Sequence, residues 1–250
     1  VDFEFWCNRW GNGIFGALAQ VVVSKYADHL PLHRQESIFA RHGMELSRAT
    51  MCDWTRASAL MLEPIVAAMK ERIVESKVIH TDDTPVTVRE PCKSGTHQGR
   101  FWTYLGYCNH PYVVYDYTKS RRRDGPMEFL CDFKGTAEQP RYLHADAYGG
   151  YDGIYVPDDA GRHVLEVACW AHARRKFHDA RNSDVNRAHA MLAWIQRLYA
   201  IERDAKEFTA NDRYALRQEK AAPILDPPAW HIICPAARSP RLESPRIAYS

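Results

Sequence analysis

At residue 77 the spacing of apolar side chains changes period, and this limits the chain to folds that join a helical region to a sheet. Before that point the period is helical. Residues 14–29 (IFGALAQVVVSKYADH), residues 31–43 (PLHRQESIFARHG) and the stretch after Ser47 all repeat apolar residues every three or four positions. After it, KVIHTDDTPVTV (77–88) is rich in β-branched residues and reads as a strand. GRFWTYLGY (99–107) and PYVVYDYTKS (111–120) alternate large apolar with smaller or polar residues, as half-buried antiparallel strands do, with Cys108–His110 and Pro111 forming the turn. RDGPMEFLCDF (123–133) suits a helix with Pro126 in its first turn. RYLHADAY (141–148) is a fourth strand, GGYDGIY (149–155) a turn and short helix, HVLEVACWAH (163–172) a fifth strand, and ARRKFHDA (173–180) begins a helix.

This order of three strands, helix, strand, short helix, strand, helix predicts an α/β fold. The order fits an RNase H-like mixed five-stranded sheet with flanking helices, preceded by an all-helical region and followed by further helices and a tail expected to be disordered. The boundaries expected are 1–76 for the helical region, 77–187 for the sheet region, 188–225 for the helices after it and 226–250 for the tail. Within the first region, Pro31 starts a helix, Gly43 stops it, Ser47 caps the next, and Pro64 is expected to break or kink that one. Helix, short turn, helix is also a helix-turn-helix outline, in which Arg48 and Thr50 would lie where DNA is contacted; the alternative is a plain helical hairpin. Along the helix after residue 188, Leu192, Ile195, Leu198 and Ile201 form an apolar face with no evident cover, so aggregation is expected. Six of the 14 prolines lie after residue 220, a composition poorly suited to a packed core.

With 46% hydrophobic and 26% charged residues the chain reads as an ordinary globular protein, and a net charge of +2 neither demands nor excludes nucleic acid. There is no apolar run of membrane-spanning length, and the first residues lack the pattern of a signal peptide, so a cytoplasmic location is expected. The 7 cysteines form no C-x-x-C pair and are read as free thiols.

Two aspartates carry the chemistry. Asp82 lies in the first strand of the sheet and Asp146 near the end of the fourth, 64 residues on (146 − 82). A two-strand meander and a crossover helix fit in that interval and return the fourth strand beside the first. Two carboxylates ~4 Å apart repel by roughly 4 kcal/mol at an effective dielectric of about 20. A pair built so close is tolerated when a divalent cation sits with it, and hard oxygen ligands favour Mg²⁺ or Mn²⁺. Such ions support phosphodiester cleavage and strand transfer, and need a further carboxylate. His80 and His144 each precede an aspartate by two residues and so share its face; they are read as packing residues beside the site. His172, Arg174, Arg175 and Lys176 start a helix near the expected site and fit either phosphate contact or a solvated face. Arg121–Arg123 are read as a solvated loop or a DNA-backbone contact.

At these motifs the sequence resembles the transposases of the insertion-sequence-66 family. KYADHLPLHRQESIFARHGMELSRATMCDW (25–54) is similar to that family's helical region. HTDDTPV (80–86) resembles its Asp-Glu-Thr-Pro motif, which assigns Asp82 as the first catalytic aspartate and leaves Asp83 in the Glu position. HADAYGGYDGIY (144–155) resembles the second-aspartate motif and assigns Asp146, and CWAHARRKFHDA (169–180) a signature after the fifth strand. RLYAIERDAKEF (197–208) resembles the start of a helical insertion that splits the family's core, which implies that 77–187 is an incomplete RNase H-like catalytic core and 188–225 a partial helical insertion. The resemblance implies DNA transposition, with Mg²⁺ or Mn²⁺ on Asp82 and Asp146. It implies double-stranded DNA as partner, both inverted terminal repeats and target, and a homo-oligomer on paired ends.

The sequence departs from the family beyond the insertion, where the third carboxylate sits in an Asn-Asn-x-x-Glu-Arg motif. No such motif occurs here. The expectation is a chain truncated before that residue, with cleavage severely reduced. Glu166, Glu202 and Glu207 are placed poorly to substitute. Two further readings stand beside the transposase: a remnant that binds DNA without cutting it, and a metal-dependent nuclease of another RNase H-like lineage.

Overall fold

The computed structural model describes residues 13–89, 95–107, 109–157 and 163–225. The expected tail and the upstream residues 1–12 lie outside these. The chain divides into two compact units, residues 1–70 and 71–250.

The first unit contains α1 (Gly13–Tyr26), α2 (Leu32–Arg41) and most of α3 (Arg48–Val74), which crosses the unit boundary. The expected helix signals act as read. Pro31 sits before α2 in extended conformation, Gly43 takes a left-handed φ of 77° after it, and Ser47 Oγ accepts the Thr50 backbone N–H at 3.1 Å. Val21, Leu32 and Met51 form a buried core, with Phe39, Leu46 and Trp54 packed on it. Of the two outcomes expected at Pro64, the break does not occur: α3 is continuous through it. The carbonyl of Leu60 loses its partner there, but Leu60–Ala68 are all exposed, so solvent can satisfy it.

The second unit is built on a five-stranded sheet: β1 (Val78–Arg89), β2 (Thr96–Gly106), β3 (Val113–Thr118), β4 (Arg141–Ala145) and β5 (Val164–Ala168), in the spatial order β3-β2-β1-β4-β5. β1–β2 and β2–β3 pair antiparallel; β1–β4 and β4–β5 pair parallel. Between β3 and β4 lies α4 (Asp124–Phe129). After β4 come a 3₁₀ turn (Gly149–Tyr151) and α5 (Asp152–Tyr155), and after β5 comes α6 (Trp170–Asp179). This is the expected RNase H-like mixed sheet with flanking helices.

Alternation sorts the side chains. Thr81 and Asp83 lie opposite Tyr104 and Trp102, so all four share one face; His80 and Asp82 share the other. The first face is the core. Trp102 and Tyr104 are fully buried, Phe129 stacks on Tyr104 with ring centroids 3.6 Å apart, and Tyr151 meets Trp102 edge-on at 6.0 Å.

α7 (Val185–Asp204) is capped by Asp184, which accepts the Arg187 N–H. It is followed by α8 (Ala210–Leu216), a π turn (Arg217–Ala221) and α9 (Ala222–Leu225). The apolar face expected to lack cover is packed: Ile195, Leu198 and Ile201 are buried, and Leu192 is half-buried. Leu198, Ile201 and Ala221 form a core joined by Trp170, Leu216, Ile224 and Leu225. The return of the chain through α8 and α9 supplies a cover that the helix pattern alone did not reveal. No helix among the described residues is long and apolar enough to cross a membrane.

Candidate active site

The parallel pairing of β1 with β4 sets the site. Val78 lies beside Tyr142, Ile79 beside Leu143 and His80 beside His144, a constant offset of 64. The pairing ends at His80 and His144, two residues before Asp82 and Asp146 respectively. Asp82 is within β1, whereas Asp146 is one residue past β4 rather than inside it, so its side chain is not bound by the strand's alternation.

The two acids have different surroundings. Asp82 is 59% exposed, and its Oδ1 accepts the Asp83 backbone N–H at 2.9 Å. His172 Nε2 from α6 stands 4.0 Å from the same oxygen. His80 Nδ1 and His144 Nδ1 are 3.0 Å apart on the same face. Burial lowers the pKa of both, and for His144 the proximity of His80 and His172 adds to the effect.

Asp146 is 21% exposed and turns toward other partners. Its Oδ1 accepts the Tyr148 backbone N–H at 3.2 Å, and its Oδ2 lies 3.0 Å from Arg121 Nη2. Arg121 also grips Asp83, with Nε 2.8 Å and Nη2 2.7 Å from Oδ1, while Arg100 Nη1 donates to Asp83 Oδ2 at 2.9 Å. Asp83 is only 1% exposed. Burial lowers the pKa of Arg121, but its contacts with Asp83 and Asp146 outweigh this and the net shift is upward. Arg121 thus links Asp146 to Asp83 rather than to Asp82.

Sequence reasoning missed Arg121, which it placed in a solvated loop or on DNA backbone. The available signal was Asp83 itself. Alternation puts it on the core face behind Ile79 and Thr81, and a carboxylate there requires cationic partners.

Carboxylate oxygens are donors of the kind a hard divalent cation takes. Asp82 is exposed, whereas both oxygens of Asp146 already have partners, the Tyr148 N–H and Arg121. Among the described residues, no group of three or more His, Cys, Asp or Glu side chains is placed to hold a metal ion. Glu166 is on β5 opposite Leu143, and Glu202 pairs with Arg217 at 2.7 Å. Neither joins the aspartates.

Of the residues expected to meet DNA, Arg174, Arg175 and Lys176 are all exposed on α6. Arg48 is exposed in the first turn of α3, its backbone N–H held by Glu36 Oε1 at 2.8 Å. The Thr50 hydroxyl is 2.9 Å from Ser47 Oγ, within the cap. Cys52 and Cys169 form no disulfide among the described residues.

Comparison with known proteins agrees with the motifs. The chain matches the model of the "Transposase IS66 family" over residues 13–232. It is similar to three uncharacterized proteins of Sinorhizobium fredii (strain NBRC 101917 / NGR234). Protein y4qI is 31% identical over 219 residues, covering 83% of this chain and 39% of its own. Protein y4hP is 29% identical over 230 residues, covering 84% and 40%, and y4jD is 30% identical over 217 residues, covering 83% and 41%. The chain therefore spans about two fifths of the length of these relatives. With the match running from α1 through every strand and helix of the described fold, the chain belongs to the IS66 family of transposases, whose function is DNA transposition.

Proposed function

We propose that this chain supplies two of the carboxylates, Asp82 and Asp146, of a centre that cleaves DNA at insertion-sequence ends and transfers the strand to target DNA. The observation that supports the reading is the parallel β1–β4 pairing, in which His80 lies beside His144, each two residues before its aspartate. A bound Mg²⁺ or Mn²⁺ would activate a water or 3′-hydroxyl and stabilise the departing oxygen. Asp82 and Asp146 would hold it, and a third acid would complete the set. His172 flanks Asp82, and Arg174, Arg175 and Lys176 follow on the same helix, where they can position phosphates. Arg48 and Thr50, at the start of α3, serve as a second DNA contact. The domain limits proposed with this function are 1–76, 77–187, 188–225 and 226–250, and a homo-oligomer would bring paired ends together.

A second reading, DNA binding without cleavage by these 250 residues, is supported by the lack of a third acid beside the pair among the described residues. One assay separates the two. A duplex carrying the terminal repeat is incubated with Mg²⁺ or Mn²⁺ and the wild-type, Asp82→Asn or Asp146→Asn protein. Cleavage should fall by about 100-fold or more in either variant, because a carboxylate lost from the ion's shell removes charge stabilisation at the reacting oxygens. Retention of the duplex without cutting favours the second reading. Equal cleavage by wild type and Asp82→Asn would refute the first.

A further inference from the structure

Strands β1, β2 and β3 share an open face, and it is the face of Asp82. Register and alternation place Tyr115, Thr103 and Asp82 in one row across the three strands, and Tyr117, Phe101 and Thr84 in the next. The opposite face is the core, whereas Phe101, Tyr115 and Tyr117 are 44%, 66% and 40% exposed. Three exposed aromatic rings in two adjacent rows form a patch, unlike the single apolar residues scattered over an ordinary surface. At Tyr117 the patch is built in detail. Its ring leans along β2 over Gly99, where an added Cβ would come 2.6 Å from Cε2. Its hydroxyl lies 3.1 Å from His97 Nε2, and Phe101 meets the ring edge-on with centroids 5.6 Å apart.

We propose that this face is a stacking surface for unpaired bases of DNA, with Tyr117, Phe101 and Tyr115 as its platform. The inference rests on the reading that DNA is handled at Asp82; it does not require Asp82 and Asp146 to share an ion. Three observations point to nucleic acid as the occupant. The platform is continuous with Asp82, since Phe101 is its diagonal neighbour on β2, at a backbone separation of roughly 7–8 Å. Among the described residues of β1, β2 and β3 on this face, Asp82 is the one carboxylate, so phosphates crossing the platform meet little repulsion. The family to which the chain belongs acts in DNA transposition. Every base has a π face that an aromatic ring can hold whatever the sequence, but bases inside a duplex are already stacked on one another. The rings therefore take a strand that has been unpaired, while cations such as those of α6 hold phosphates of either form.

The test uses the 250-residue chain. Fluorescence anisotropy follows binding of a labelled oligothymidine of about 15 nucleotides, and of a duplex carrying the terminal repeat, over a range of salt. The proteins are wild type, Tyr117→Phe, Tyr115→Thr and the double variant Tyr115→Thr/Tyr117→Thr. Threonine keeps the strand preference at these positions, and thermal melts check that each variant is folded. Tyr115→Thr, at the most exposed of the three sites, carries the test should the double variant fail to fold. The double variant should bind oligothymidine about tenfold or more weakly, and Tyr115→Thr about fivefold. The slope of log affinity against log salt should not change, because stacking releases no counterions. Tyr117→Phe keeps the ring and should bind as wild type does, and duplex affinity should be the same in all four proteins. Wild-type affinity for oligothymidine in the threonine variants overturns the proposal, as does a wild type that binds the duplex and not the oligothymidine; the reading of DNA at Asp82 survives both. Self-association of the wild type that the double variant loses would assign the face to a second copy and also overturn the proposal. Binding of neither DNA overturns the proposal and the reading together.

Discussion

Neighbouring aspartates in one strand meet opposite fates here because successive side chains point to opposite faces of the sheet. Asp82 reaches solvent beside His172, and Asp83 reaches the core, where two arginines neutralise it. The same core face holds a polar atom with no such compensation. The Tyr104 hydroxyl is buried and has no hydrogen-bond partner among the described residues, while its ring stacks on Phe129. Burial raises the pKa of this phenol, so it stays neutral. Tyr104→Phe keeps the stacked ring and removes the unpaired hydroxyl. It should raise stability by about 1 kcal/mol, read as a higher denaturant midpoint at unchanged slope; a loss of stability would mean that the hydroxyl has a partner. The inward position of Asp83 was legible from alternation alone. The identity of its second arginine was not: Arg121 lies 38 residues away in a loop, and no local period encodes a contact of that range.

The helices and strands were largely readable in the sequence because each carries its own period and stop signals. All five strands occur in the expected order, and the β1–β4 adjacency follows from the crossover between them. The misreadings lie where tertiary context prevails. β4 ends at Ala145, so Asp146 escapes the strand, and α8 and α9 fold back to cover α7. Pro64 lies inside α3 without ending it. An interior proline costs a helix about 3 kcal/mol, yet α3 runs through it for 27 residues. The flanking residues Leu60–Ala68 are exposed, so the lost bond is relieved by water and the penalty is reduced but not removed. Pro64→Ala should restore the amide bond to the Leu60 carbonyl and slow hydrogen exchange of the amides around it by roughly tenfold or more, since 1.4 kcal/mol of local stability is a factor of ten. Unchanged exchange there would show that the helix already opens by a route independent of position 64.

For the molecule as a whole, a net charge of +2 provides little long-range attraction to DNA, so affinity must come from where the cations are placed. Many of the arginines are committed to internal pairs: Arg100 and Arg121 to Asp83, and Arg217 to Glu202. Arg174, Arg175 and Lys176 instead stand exposed in succession on α6, the helix whose His172 approaches Asp82. Each phosphate neutralised on duplex DNA releases counterions and adds about 0.9 to the slope of log affinity against log salt. If all three side chains sit on phosphates, replacing them together by alanine should reduce that slope by about 2 to 3 and weaken binding to all sequences alike. The melting temperature should hardly move, because none of the three is buried. Arg48→Ala should remove about one further unit, independently, since it lies in the other compact unit. A slope unchanged by the triple substitution would make this run a solvated helix face, and would place the phosphates elsewhere than beside Asp82.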